Sequence, residues 1–234
     1  MSAPDYEHAR LVSLVEAAGP ELEDAHPLDV LRWASDEFGD RLCITSSMAD
    51  AVLSHLASRA RPGIHVVFLD TGYHFAETIG TRDAVASTMP VTVLSVKPSQ
   101  TVAEQDAEYG PRLYERNPDQ CCAMRKVRPL EAALSSYHAW GSGVRRDESP
   151  SRADTPVVAW DAKRSMVKIN PLATWTQDDV DAYATEHGVL INPLIDAGYT
   201  SVGCAPCTRA VKPGEDARAG RWAGRDKVEC GLHV

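Results

Sequence analysis

The chain has no apolar run approaching the roughly 20 residues of a membrane-spanning helix, so a helical membrane anchor drops out of the readings. Its opening, MSAPDYEHARLVSLVEAAG, has an early acidic pair and no basic segment followed by an apolar stretch. A secretory leader is therefore not expected, and a cytoplasmic setting is. Neither GxGxxG nor GxxxxGKS/T occurs, which leaves Rossmann-type and Walker-type phosphate binding unsupported. Internal repeats and low-complexity tracts are also missing. Positive charge is short overall: 24 Lys and Arg against 33 Asp and Glu leave a net charge of −9. Wrapping a nucleic-acid backbone is thus not expected to be its business.

What is present is ordinary in amount and uneven in placement. With 234 residues, 44% hydrophobic and 24% charged, the chain can bury one sizeable core. The first half is acid-rich through ELEDAHPLDVLRWASDEFGD. From Arg125 onward, basic residues crowd into RKVR, GVRRDESPSR and TRAVKPGEDARAGRWAGRDK. Concentrated cations in an acidic protein point to a site for a small anion.

Apolar periodicity alternates helix with strand. A helix is expected near residues 5–18, then another at PLDVLRWASDEFG with Pro27 at a first helical position. RLCITSS, IHVVFLD and VTVLSV read as short buried strands, separated by helices at MADAVLSHLASRA and HFAETIGTRDAVAST. Strands joined by helices of that length imply βαβ crossovers and a parallel sheet. Further strands are expected at AWGSGV, VVAWD and SMVKINPL, and a helix at TQDDVDAYATEHG between Thr176 as cap and Gly188 as stop. Past about Ile191 the pattern dissolves into loops rich in proline and glycine. The organisation expected is a single α/β domain over residues 1–207, followed by a mobile segment over 208–234.

Four stretches carry candidate chemistry. ITSSMADAVLSHL runs from strand through Ser46 and Ser47 into helix, which suits either a phosphate or a plain N-cap. FLDTGYHFAET puts Leu69, Asp70, Thr71 and Gly72 at a strand's carboxyl end, where open α/β sheets bind ligands, or where a strand merely turns. DQCCAMRK and GCAPCTR together supply Cys121, Cys122, Cys204 and Cys207. Four soft thiolates suit zinc or an iron–sulfur cluster, and adjacent cysteines lean toward the cluster. Two buried cysteines beside a redox CxxC is the bland alternative. Beside these thiols stand Arg125, Lys126, Arg209, Arg218 and Arg221, cations that either face solvent or grip an anion. Cys43 reads as a core residue, Trp140, Trp160 and Trp175 as packing, and Trp222 as a shield for a ligand. Cys230, four residues from the end, is the thiol left over, with His233 close by in sequence.

CCAMRK, CAPCTRAVKPGEDARAGRW and ECGLH, in that order, resemble the assimilatory adenylyl-sulfate (APS) reductases within the wider APS/PAPS reductase family, from about Leu42 to the end. The resemblance implies an adenine-nucleotide α-hydrolase-like (PP-loop) sheet with a loop-rich C-terminal tail. It implies a [4Fe–4S] cluster on Cys121, Cys122, Cys204 and Cys207, and attack by Cys230 on adenylyl sulfate to leave S-sulfocysteine and AMP. Thioredoxin or a similar dithiol would then release sulfite. Lys126, Arg152, Arg218 and Arg221 would gather around the phosphosulfate; Ser46, Ser47, Leu69, Asp70, Thr71, Gly72 and Gly143 would border the nucleotide. Partners expected are that small molecule and thioredoxin, with no nucleic acid and no membrane, and a homo-oligomer is allowed. Two departures stand out: TSSMAD in place of an SFS-type loop, and WAG where more tryptophan is usual. The rival readings are a PAPS reductase, a PP-loop sulfurtransferase acting on tRNA, which the net charge of −9 disfavours, and a non-catalytic iron–sulfur nucleotide sensor.

Overall fold

Alternating short strands and helices assemble into one six-stranded sheet flanked by helices, in a computed structural model that describes residues 3–227 and 229–232. The first helices are α1 (Ala3–Leu22) and α2 (Pro27–Phe38). Pro27 sits in the first turn of α2, where its missing N–H removes no helical hydrogen bond, and His26 accepts the Leu28 N–H at 3.2 Å. There follow β1 (Leu42–Thr45), α3 (Val52–Ala60), β2 (His65–Leu69), α4 (Ala76–Thr88) and β3 (Thr92–Val96). Residues 98–138, unassigned from periodicity, hold α5 (Val102–Tyr109), α6 (Leu113–Arg116), α7 (Pro118–Cys122), a π-helical turn over Ala123–Val127, and α8 (Arg128–Leu134). A capping box of Thr101 and Glu104 opens α5, a local signal that was readable in the sequence. The chain then gives β4 (Ala139–Gly141), β5 (Val158–Asp161), β6 (Met166–Ile169) and α9 (Gln177–His187). Thr176 caps α9, and Gly188 ends it in the left-handed region at φ 61°.

The strand order is β3-β2-β1-β4-β6-β5. All neighbours are parallel except β5, which runs antiparallel to β6. That exception to the expected parallel sheet follows from spacing: only residues 162–165 separate β5 from β6, enough for a hairpin turn and too few for a crossover helix. Strand periodicity of two divides the core. Ile44, Val66 and Phe68 pack with α2 and α3, while Cys43, Val67, Trp140 and Met166 pack with Leu130 and Leu134 of α8. Cys43 is fully buried, as expected, and burial pushes its thiol well up. Gly141 is required by closeness, because a Cβ there would stand 2.9 Å from Ile44 Cγ2.

Beyond Ile191 the chain is irregular, as its composition foretold, yet it is tied down. Thr208 and Arg221 form an antiparallel bridge, and the Trp222 N–H donates to the Cys207 carbonyl at 3.0 Å. The terminal stretch, part of the segment expected to be mobile, lies along the domain in this structure: Leu232 packs beside Val67 and Trp140, and its carbonyl accepts from Arg164 Nη2 at 3.1 Å. Burial of one leucine and a guanidinium–carbonyl bond explain why it lies down. His233 lies outside the described residues. Among the described residues, no helix is long and apolar enough to cross a membrane.

Candidate active site

In the sheet β1 neighbours β4, although the chain leaves β1 in the other direction, toward β2 and β3. Loops after β1 and β4 therefore diverge, and the crevice between them is where an open α/β sheet takes a ligand. A cleft of about 230 Å³ opens there, walled on the sheet side by Thr45, Ser46 and Ser47, by Leu69, Thr71 and His74, and by Ser142, Gly143 and Val144. The two serines reach the cleft but do not start a helix, which corrects the expected strand-to-helix turn. The first turn of α3 lies at Val52, whose N–H is accepted by Asp50 Oδ1 at 2.9 Å. The loop between is set by Met48, which takes a left-handed φ of 60° and buries its side chain completely. Its carbonyl accepts Asn192 Nδ2 at 2.9 Å. The methionine that departs from the family loop thus fills core rather than cleft. Asp50, missed in the sequence, lines the cleft with a carboxyl that burial pushes up against the pull of the Val52 N–H.

Of the FLDTGY residues, Leu69 and Thr71 line the cleft, whereas Asp70 and Gly72 do not. Asp70 accepts the Gly72 N–H at 3.2 Å and lies 3.9 Å from Arg82. Gly72, at φ 74°, leaves room for Arg125, since a Cβ would be 3.2 Å from its Nη2. His74 is a further lining residue that sequence reasoning missed. Its Nε2 meets the Leu69 carbonyl at 2.8 Å, and burial lowers its pKa. The neutral ring then donates from Nε2, which leaves Nδ1 an acceptor without a partner among the described residues.

The opposite wall is charged and comes from outside the sheet: Lys126, Arg152, Arg218, Arg221, Glu229 and Cys230. Lys126 projects from the π-helical turn and Arg152 from a short turn over Pro150–Arg152. The bridge between Thr208 and Arg221 folds the loop that returns Arg218 and Arg221. Gly203 makes room for Arg221, because a Cβ there would stand 2.4 Å from its Nη2. The guanidinium also lies 4.6 Å over the Trp222 ring. Burial works to lower the Lys126 pKa, but Cys204, Cys230 and Cys122 outweigh it and leave the ammonium raised. Burial and the neighbouring Arg152 and Arg221 lower that of Arg218, despite Glu229. Two of the expected cations stay out of the cleft. Arg209 pairs with Glu215 at 2.7 Å, and buried Arg125 donates to Gln105 at 3.0 Å and to the Thr71 carbonyl.

Behind Lys126, the same turn borders a second, smaller cavity lined by Cys121, Cys122, Cys204, Cys207 and Trp222. Asn117 caps α7 and Pro118 opens it, presenting the adjacent pair; a turn over Ala205–Cys207 presents the CxxC pair. Burial, then the neighbouring thiols, push Cys121 up to about 12, and burial pushes Cys122 to about 11 against Lys126. Thr71 Oγ1 lies 3.3 Å from Cys204 Sγ, so a residue of the cleft contacts a thiol of the second cavity. As placed, the described side chains do not converge on a single metal position. The donor chemistry nevertheless fits a sulfur-liganded group: four thiols, a cation beside them, and a buried Trp222 Nε1–H with no partner among the described residues.

Residues 41–210 match the family model of the phosphoadenosine phosphosulfate reductase domain. A Streptomyces coelicolor protein named adenosine 5′-phosphosulfate reductase is 68% identical, over 95% of this chain and 94% of its own. The chain belongs to the APS/PAPS reductase family. Another member, the adenosine 5′-phosphosulfate reductase of Mycolicibacterium smegmatis, is 52% identical over 96% of this chain and 95% of its own. The phosphoadenylyl-sulfate reductase of Candida auris, solved as a phosphate complex, superposes with a TM-score of 0.72 at 29% identity, covering 83% of this chain and 96% of that one. An FMN adenylyltransferase of Candida glabrata shares the fold alone, with a TM-score of 0.57 at 12% identity, over 95% of this chain and 84% of that one. The PP-loop-type sheet expected from the resemblance is the one observed, and family membership makes the chain an oxidoreductase acting on sulfur. The family model ends at residue 210, short of Arg218, Arg221 and Cys230.

Proposed function

We propose that the chain reduces adenylyl sulfate to sulfite and AMP in assimilatory sulfate reduction, with Cys230 as nucleophile and a cytoplasmic dithiol such as thioredoxin as reductant. One observation carries this: Cys230, Lys126, Arg152, Arg218 and Arg221 line a single cleft at the crossover point of a nucleotide-type sheet. A thiolate approaching a phosphosulfate meets negative charge, and those cations offset it. The Cys230 thiolate attacks the sulfate sulfur, forming an S–S bond. The bond from sulfur to the bridging phosphate oxygen breaks, and its electron pair leaves with AMP. A dithiol then attacks Cys230 Sγ, the S–S pair departs with sulfite, and the second thiol resolves the mixed disulfide. Both electrons come from the dithiol. Lys126, on the same wall as Cys230, sets a positive charge beside the attacking sulfur, and the arginines take charge developing on the leaving phosphate.

Cys121, Cys122, Cys204 and Cys207 are the residues that would hold a [4Fe–4S] cluster, with Lys126 and Trp222 lining the same cavity. When bound, that group supplies fixed charge and a structural tie between the turn at Lys126 and the C-terminal loop. Relatives named for adenosine 5′-phosphosulfate support that nucleotide over its 3′-phosphorylated form, and comparing kcat/KM for the two tests the choice. The decisive experiment is mass spectrometry after incubation with adenylyl sulfate and no reductant. A sulfonate adduct on Cys230 is expected; its absence from protein with full iron content would sink the mechanism.

A further inference from the structure

The acid next to the nucleophile has no part in that chemistry, yet it holds the most strategic contacts in the cleft. Glu229 accepts from Arg152 Nε at 2.8 Å and from Arg152 Nη2 at 3.0 Å, and lies 3.3 Å from Arg218 Nη2. The third nitrogen of Arg152, Nη1, donates to Glu148. Every nitrogen of this guanidinium is therefore engaged with a carboxylate. The Glu229, Arg152 and Arg218 side chains are only 13%, 11% and 11% exposed. Burial alone would raise the Glu229 carboxyl, but the hydrogen bonds and charge of Arg152, with Arg218 and Arg221 behind it, hold it lowered and ionised.

We propose that Glu229 is an internal anion which occupies the Arg152–Arg218 pair in the free protein and is exchanged for the anionic group of the substrate. The exchange is stoichiometric in hydrogen bonds: a sulfate or phosphate cannot take a two-pronged grip on Arg152 until the carboxylate leaves. Two carboxylate or phosphate groups sharing one pair of guanidiniums repel each other. Because Cys230 follows directly in the chain, releasing Glu229 also frees the nucleophile's backbone to move over the bound ligand. Glu229 is thus a positioning residue that couples anion binding to the place of the thiol, within the proposed function for the identity of the substrate.

The test uses the protein as purified, with iron content measured, and needs no variant for its first arm. Inorganic sulfate is titrated against sodium chloride of equal ionic strength while alkylation of Cys230 by iodoacetamide is followed by mass spectrometry. Sulfate is expected to speed alkylation of Cys230 several-fold in the wild type. Glu229→Gln is expected to start fast and not respond. In a Cys230→Ser background, Glu229→Gln is expected to bind adenylyl sulfate about tenfold tighter, with affinity for uncharged adenosine unaltered. The proposal is overturned if sulfate leaves the wild-type rate unchanged, if it speeds both proteins equally, or if Glu229→Gln binds adenylyl sulfate no tighter. Should Glu229→Gln fail to fold, the wild-type arm decides alone. A sulfate-released Cys230 that never gains a sulfonate adduct would leave this exchange standing and remove the reductase reading.

Discussion

The two walls of the cleft are built by different means. On the sheet side, loops hang from strand ends whose backbone groups are already paired, as where the Ser46 N–H meets the Val67 carbonyl at 3.1 Å and Ser142 meets Ile169 at 2.9 Å. On the C-terminal side an isolated bridge between Thr208 and Arg221 takes the place of a sheet ladder, and side chains share the holding: Arg221 Nη1 reaches Ser201 at 3.3 Å, and Arg152 grips Glu229. Strands supply shape cheaply because their polar groups satisfy one another. Loops can expose a charge because their backbone carbonyls remain free to orient it. The sheet wall therefore frames a ligand, and the irregular wall meets its charge.

The largest test of that division is Lys126, which lines both cavities. Lys126→Ala is expected to cut kcat/KM for sulfite release by about 10²–10³, the range for a preorganised electrostatic group at a reacting centre. Lys126→Arg is not expected to restore it, because a planar fork cannot occupy the place of a compact ammonium. Iron content measured on the same samples separates loss of charge from loss of a bound group. A fall of less than about tenfold would remove the charged wall from the chemistry.

Two glycines give the next contrast. Gly141→Ala puts a Cβ 2.9 Å from Ile44 Cγ2 inside the sheet; overpacking of that kind costs about 1–3 kcal/mol. Gly203→Ala puts a Cβ 2.4 Å from the end of the Arg221 side chain, which can swing aside. The sheet variant is expected to lose Tm and keep its affinity for AMP. The loop variant is expected to keep Tm and to bind adenylyl sulfate about tenfold more weakly, the worth of a charge-assisted pair. Thermal melts and binding titrations on both proteins check this, and a large drop in Tm for Gly203→Ala would dissolve the distinction.

The same division explains what the sequence could tell. Apolar alternation announced β1, β2 and β3, and Thr176 with Gly188 bounded α9, because those signals are local. The cysteine pairs and the ECGLH tail were also legible as chemistry. The helices of residues 98–138 stayed opaque and the Thr101–Glu104 box among them went unread, since they are short and interrupted by Pro111 and Pro118. Asp50, His74 and Glu229 were missed because each matters through a partner distant in the chain or through the direction it faces. Asp70 and Gly72 were drawn toward the ligand by their neighbours in sequence, while the turn sends Asp70 to Arg82. Long-range pairing of a single acid with a single arginine leaves no periodic trace.

The smallest expected effect lies where a cation sits on the sheet itself. Lys168 of β6 lies 5.1 Å over the Trp140 ring, facing Asp161, Arg164, Arg152 and Glu229. Burial, with Arg164 and Arg152, lowers its pKa to about 8 against the pull of Asp161 and Glu229. Below that pH the folded and unfolded chains both carry the proton, and folding bears the full cost of burying the charge. Between about 8 and the ordinary lysine value of about 10.4, the unfolded chain still holds the proton that the folded chain has released, so stability gains with rising pH. Lys168→Met, similar in volume and uncharged, is therefore expected to melt higher than the wild type by on the order of a few degrees near pH 7. That lead should shrink toward pH 10. Taking the difference between the two proteins cancels the titration of the cysteines they share, so a lead that stayed constant with pH would show that the sheet bears this charge without cost.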